Sequence, residues 1–378
     1  MISFQPTADE WSFVDLAKDF ADERIRPLAR ECEQNRRVNP DLVKKVDELG
    51  FATLELPESW GGLELPLISQ IQILESLSYG DLGILQGLPG PGDAASLIRL
   101  IPDSPVLNSY KDAGRDGSWP VVAFYHAANA ILPTSEIKAV PKGAGYVLSG
   151  TSQPLRLAAF ADHLVIAVTD SDGNPLILWL DKADNSWDVV EGGYRLGLLA
   201  AGCARVRFDD ETVNEDRVLA KGSEAQDLLS KALSRVYVLE AAKEVGLMEA
   251  ALSYATEYTA QRKAFGQVIA KFQGVSFNLA DMAIETQAVR HLVRRSAENT
   301  DREESESVLS TLARAHRSLR FVTDSAVQLL GGHGYVQEFP VEKWMRDAQA
   351  QVILYGREHD LTIRHGVQIL DEPIRTEA

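Results

Sequence analysis

The hydrophobic period of this chain changes twice, and that switch limits the folds open to it. From Ala8 to about Ala52 apolar residues recur at helical spacing: Phe13, Leu16, Ala17, Phe20 and Ala21, then Leu42, Val43, Val46 and Leu49 ahead of Gly50. Such spacing puts them on one face of a helix. The LPESWGG run at 56–62 is a loop by its Pro and Gly content, and a further helix is expected from about Pro66 to Ser78. Between about Trp119 and Gly222 short β-rich runs take over, such as Tyr146–Leu148, His163–Val168, Leu176–Trp179 and Ala204–Phe208, separated by Gly, Asp, Asn and Pro. From Ser223 helical patterning resumes over about 224 to 261, 275 to 298, 306 to 330 and 341 to 370. The third stretch stops at Gly331-Gly332, and the acidic DREESE run at 301–306 is expected to be a solvated turn between helices. An α+β chain follows, with a β-domain over 118–222 inserted between helical regions over 1–117 and 223–378.

At 378 residues, with 45% hydrophobic and 25% charged side chains, the chain is long enough for two or three packed domains. A formal charge of −17 argues against a nucleic-acid partner or an anionic membrane surface, since both need a basic field. Cys32 and Cys203 have no metal-ligand or C-x-x-C spacing and are expected to be reduced packing residues. The first residues, MISFQPTADEW, lack a basic region followed by an apolar run, and no stretch approaches about 18 consecutive apolar residues. A cytoplasmic protein without membrane spans is the expectation.

Chemistry concentrates near the C-terminus. Gln328-Leu329-Leu330-Gly331-Gly332-His333-Gly334-Tyr335 is followed by Pro340-Val341-Glu342-Lys343 and Arg346-Asp347-Ala348. Upstream stand Arg262-Lys263-Ala264-Phe265-Gly266 and Phe272-Gln273, and near the N-terminus Trp60-Gly61-Gly62. A guanidinium suits a pyrophosphate because its planar fork makes paired charge-assisted hydrogen bonds. Glycines at a helix end let backbone approach a ligand. The alternatives are a surface Arg beside a core Phe and a simple helix cap.

Together these segments resemble the acyl-CoA dehydrogenase family across essentially the whole chain. The resemblance implies an N-terminal helical domain, a small central β-barrel or sandwich and a C-terminal four-helix bundle. It also implies FAD as cofactor, an acyl-CoA thioester as substrate, a homo- or heterotetramer with another acyl-CoA dehydrogenase subunit, and an electron-transferring flavoprotein as acceptor. In the family, the positions of Arg262, Phe265, Gln273, Gln328, Gly331, Gly332 and Gly334 hold the ADP half of a neighbouring subunit's FAD. The charged segment Glu342, Lys343, Arg346 and Asp347 is at helical spacing and is expected to form a subunit-facing or helix-stabilising network.

Elsewhere the sequence departs from the family. The first flavin strand corresponds to Phe124-Tyr125-His126-Ala127-Ala128-Asn129-Ala130, without the family's Thr and Glu-Pro features. In the second, Pro154 stands at a Trp position and Arg156 at a Thr position. The family's catalytic Glu falls at Tyr355, with Gly356 retained at the substrate-binding position beside it. A phenol with pKa near 10 is only about a thousandth ionised at neutral pH. The other location of the family's base falls at Val236-Tyr237, again without a carboxylate. Glu240 and Glu358 are the alternative bases, against a surface or ion-paired role; His126 and His333 are further candidates, against a packing role. Three functions stay open: a base-less subunit that lends its ADP-binding half to a catalytic partner, a self-sufficient homotetrameric dehydrogenase with a relocated base, and a flavin monooxygenase on the same fold.

Overall fold

A computed structural model describes residues 8–114, 118–127, 136–190, 195–303 and 308–371. Its helices are α1 (Ala8–Phe20), α2 (Arg26–Asn35), α3 (Pro40–Glu48), α4 (Leu67–Gly80), α5 (Leu82–Gly87), α6 (Ala95–Ile98), α7 (Asn108–Gly114), α8 (Gly222–Gln261), α9 (Gln273–Asp301), α10 (Leu309–Leu330), α11 (Val341–Leu354) and α12 (Glu358–Asp371). The strands are β1 (Val122–His126), β2 (Ile137–Lys142), β3 (Gly145–Thr151), β4 (His163–Thr169), β5 (Pro175–Asp181), β6 (Asp188–Val190), β7 (Arg205–Asn214), β8 (Val218–Lys221), β9 (Lys263–Ala264) and β10 (Gln267–Val268). Two compact units are interleaved along the sequence. One gathers Met1–Arg26, Pro66–Leu82 and Tyr237–Ala378; the other gathers Pro27–Leu65 and Gly83–Val236.

The second unit contains the expected β-sandwich. Its two sheets have the strand orders β1-β4-β5-β8 and β2-β3-β7-β6, all neighbours antiparallel except β1 with β4. The apolar runs of β4 and β5 are continuous because both faces are covered. Leu164, Ile166, Val168, Leu176, Leu178 and Leu180 share a core with Ile137, Leu148, Val206 and Phe208 of the other sheet. The alternate residues Val165, Ala167, Ile177 and Trp179 join a second core with Trp60, Leu97, Ile98 and Tyr110. The strand repeat of two thus sends one sheet's side chains into two cores. Of the first flavin strand, Ala128, Asn129 and Ala130 lie outside the described residues.

The first unit is helical, and two expectations change there. The stretch from 341 to 370 is not one helix. It divides at Tyr355, with Gly356 at φ +105°, a backbone conformation that ends α11 and turns the chain into α12. A lone glycine within a helical pattern gives little warning of such a break. The acidic run is also more than a solvated turn: Asp301 closes α9, and its carboxylate accepts the Leu67 N–H at 2.7 Å at the start of α4. Glu304 to Glu306 lie outside the described residues. No helix among the described residues is long and apolar enough to cross a membrane. Cys32 and Cys203 are buried and free, with burial pushing the Cys203 thiol up to about 11.

Candidate functional site

One end of the helical unit presents a set of groups that the chain itself leaves at the surface. The Arg262 N–H still bonds the Tyr258 carbonyl at 2.8 Å, so the guanidinium leaves from the last turn of α8. The chain then makes a tight hairpin, β9 against β10, with Phe265 at φ +50° and Gly266 at φ +83°. Phe265 is 96% exposed. Its ring meets that of Phe272 edge-on, centroids 6.3 Å apart. Arg262, Gln273 at the head of α9 and Gln328 in the last turn of α10 are all exposed.

After α10 the chain makes a single tight turn through Gly331–Tyr335. Gly331 has φ +58°, and Gly331 and Gly332 are exposed with open space where a Cβ would stand. Gly334 is buried, and a Cβ there would collide with the Val327 carbonyl. The turn lies close on its own helix and bares backbone outward, a surface suited to an anion.

Hairpin and turn meet through Tyr258, one helical turn before Arg262. Its hydroxyl lies 2.8 Å from His333 Nδ1 and 3.4 Å from the Leu330 carbonyl oxygen. His333 in turn stacks on Phe339, centroids 4.7 Å apart with 8° between the planes. Its ring is packed and bonded, as the structural alternative to a base requires. Tyr258 carried no motif; only its position four residues before Arg262 could have pointed to it.

The position expected for the base is arranged differently. Tyr355 is buried at the end of α11, its N–H on the Gln351 carbonyl at 3.2 Å, and Gly356 beside it is buried as well. Glu240, 1% exposed, is paired with Lys243 and accepts from the Gln351 amide at 2.8 Å. Glu358 receives Arg320 at 2.6 Å. Both alternative carboxylates therefore stand in ion pairs. Tyr237 is buried, and burial raises its phenol against the opposing pull of Arg364.

The same core holds Glu244 and His316, both fully buried, with His316 Nδ1 2.8 Å from Glu244 Oε1. The contact is close but poorly directed, leaving these atoms without a well-formed hydrogen bond. Burial, the largest influence, raises the Glu244 carboxyl against the pull of His316. Lys343 is buried between Asp81 and Asp347, 2.6 Å from each, and the two carboxylates hold its ammonium well above the usual lysine range despite burial. Arg346 bonds Glu342 at 2.7 Å. The charged segment is thus a helix-stabilising network turned inward, with Lys343 and Asp347 in the core.

In the sandwich unit, Arg156 is committed internally. Its Nε donates to the Gln86 carbonyl at 3.0 Å and its guanidinium pairs with Asp93 at 2.7 Å. Leu155 beside it bridges to Ala204. His126 is buried, its ring tilted against Phe124 and its carbonyl accepting from Gln153 at 3.3 Å. Trp60 stacks on Trp119 and donates to the Pro102 carbonyl, a packing role. Neither Pro154 nor the paired Arg156 offers a flavin what a Trp face and a Thr hydroxyl would.

The model of the acyl-CoA dehydrogenase C-terminal domain matches residues 228–360, and that of the N-terminal domain residues 7–95. The benzylmalonyl-CoA dehydrogenase of Aromatoleum aromaticum is 26% identical over 373 residues, 96% of this chain and 98% of that protein. The short-chain-specific acyl-CoA dehydrogenase of Clostridium acetobutylicum is 27% identical over 365 residues, 94% and 96% of the two chains. A solved structure described as an electron transferring flavoprotein of Acidaminococcus fermentans superposes with a TM-score of 0.87 at 27% identity, covering 98% of this chain and 100% of that one. The butyryl-CoA dehydrogenase of Megasphaera elsdenii has the same fold, with a TM-score of 0.80 at 24% identity over 98% and 100%. This chain belongs to the acyl-CoA dehydrogenase family of FAD-dependent oxidoreductases.

Proposed function

We propose that this chain is a subunit of a heteromeric acyl-CoA dehydrogenase, lending the ADP-binding half of an FAD site to a catalytic partner. The observation that carries this reading is a contrast in exposure. Arg262, Phe265, Gln273, Gln328, Gly331 and Gly332 are exposed, whereas Tyr355 is buried and Glu240 and Glu358 are ion-paired. A bare phenylalanine ring beside a cation and open backbone favours a ligand with a flat apolar body and an anion, as a dinucleotide has.

In α,β-dehydrogenation of an acyl-CoA thioester, a base takes the α proton while hydride leaves the β carbon. FAD, when bound, supplies the hydride acceptor. The residues here suit holding its nucleotide end: Arg262 on the phosphates, the Gly331–Gly334 turn offering backbone, and Phe265 and the two glutamines bordering the adenosine. The partner supplies the base and flavin contacts that Tyr355, Pro154 and Arg156 do not. Apolar side chains on α9 (Phe277, Ile284) and α12 (Ile363, Val367, Leu370) remain exposed, a pattern that favours assembly with related subunits. An electron-transferring flavoprotein is the proposed acceptor.

The test is the flavin spectrum of the chain purified alone and co-expressed with an acyl-CoA dehydrogenase encoded beside it, scored as FAD per polypeptide. Little flavin alone and about one per pair on co-expression is expected. Near one per chain alone would overturn the reading and favour a homotetramer with a relocated base.

A further inference from the structure

The proposed nucleotide site draws on two separate helix ends, and something must hold those ends in register. Arg262 leaves the end of α8, whereas the glycine turn follows α10. Resting on the reading that this end receives the ADP half of a partner's FAD, we propose that His333 is a positioning residue that joins the two.

Tyr258 is the point of attachment on α8. Its carbonyl accepts the Arg262 N–H at 2.8 Å, so its placement and that of Arg262 are coupled through one turn of backbone. Its hydroxyl reaches His333 Nδ1 at 2.8 Å and the carbonyl of Leu330, the residue before the turn, at 3.4 Å. Two rings fix the imidazole. It stacks on Phe339, and Tyr258 meets His333 and Phe339 edge-on at 81° and 88°. Rotating the ring away from Tyr258 would forfeit both stack and hydrogen bond.

A turn with glycine at three of its first four positions is otherwise among the most adaptable pieces of backbone a protein can make. A ligand that had to order it would lose affinity to conformational entropy, and a turn already held in shape avoids that loss. His333 stands inside the turn, between Gly332 and Gly334. With the imidazole proton on Nε2, the single Tyr258 hydroxyl proton goes to Nδ1 at 2.8 Å, the shorter of its two contacts, and the Leu330 carbonyl at 3.4 Å is left as a near neighbour. The group acts through the backbone it holds; it needs no contact with the ligand.

The experiment deflavinates the co-expressed complex and measures FAD rebinding by the quenching of flavin fluorescence. His333→Ala is expected to weaken FAD roughly three- to tenfold, the range of one net hydrogen bond. Tyr258→Phe, which removes a single oxygen and keeps the ring packing, should lose about the same. The double variant should lose little more, because both changes remove one interaction. His333→Asn, whose amide oxygen can accept the Tyr258 hydroxyl, should recover part of the loss, which a bulk packing defect would not. If Arg262→Ala weakens binding while His333→Ala and Tyr258→Phe do not, the positioning role is overturned and the shared site stands. If Arg262→Ala also leaves binding unchanged, the shared-site reading fails and this inference fails with it.

Discussion

The Gln351 amide donates to the Glu240 carboxylate at 2.8 Å, across the core from α11 to α8. Lys243 holds the other oxygen of the same carboxylate, so Glu240 is tied at both ends. This geometry predicts a structural rather than a catalytic cost on mutation. Replacing Glu240 by Leu leaves the buried Lys243 ammonium without its carboxylate and should cost about 3–5 kcal/mol of stability. Urea denaturation checks it. A variant that keeps its stability but abolishes dehydrogenase activity in the assembled enzyme would return Glu240 to the list of bases.

The buried Glu244 carboxyl sets a pH dependence. Burial raises the Glu244 carboxyl above its ordinary value of 4.5, so the folded state holds that proton more tightly than the unfolded chain. The stability this contributes is fully present below pH 4.5 and is lost as pH rises through the folded value. Glu244→Gln removes the titration. The variant should exceed the parent in thermal midpoint at pH 7.5, with the gap narrowing as pH falls towards 4.5. A gap that widens on acidification would contradict the assignment.

Asp47 offers a second, independent titration in the sandwich unit. Burial alone lifts its carboxyl from 3.8 to about 6. Carboxyl-carbon NMR should therefore find a midpoint near 6 for Asp47. The sign matches that of Glu244: Asp47→Asn should be more stable than the parent at pH 7, and the difference should fade as pH falls through about 6 towards 3.8. A midpoint near 4 would mean the side chain is solvated.

How much of this could be seen in the sequence follows from the physics of each feature. The order of helices, strands and helices was visible because period survives in one dimension. The apolar runs of β4 and β5 marked strands, but that both of their faces are covered emerged only from the two cores they enter. Burial of charge was not visible. Lys343 and Asp347, four residues apart, look in sequence like any solvated helix pair, and only Asp81, just past the end of α4, makes them a core triad. Arg262, Phe265 and the Gly331–Gly334 turn were singled out by their resemblance to the family's motifs, but the rings that join them were not, since Tyr258 and Phe339 belong to no pattern. The break at Gly356 was missed because it costs one residue of positive φ in an otherwise helical stretch.

Phe265 separates the demands of folding from those of binding. At 96% exposed it contributes little to the fold, so Phe265→Ala should shift stability by no more than about 0.5 kcal/mol. Under the proposed function the same change should lower the flavin content of the co-expressed complex. Calorimetry and the absorbance ratio at the flavin and protein bands read the two effects from one preparation. Loss of stability without loss of flavin would place the ring in the fold rather than at a ligand.

Placing a carboxylate at position 355 is the sharpest test of the proposed partner-subunit role. Tyr355 is 3% exposed at the end of α11, one turn after Gln351, with buried Leu361 following on α12. Tyr355→Glu replaces a large buried ring by a shorter acid, leaving a cavity and an ionisable group away from water. A loss of about 3 kcal/mol or more is expected from the lost packing alone. The carboxyl should remain protonated well above the ordinary Glu range. No acyl-CoA-dependent dye reduction should appear in the chain alone, because a base at position 355 leaves Pro154 and the Arg156–Asp93 pair in place of flavin contacts. Activity gained by that single substitution, with FAD bound to the lone chain, would show that the sandwich unit holds flavin without the family's contacts, and the partner-subunit reading would have to be abandoned.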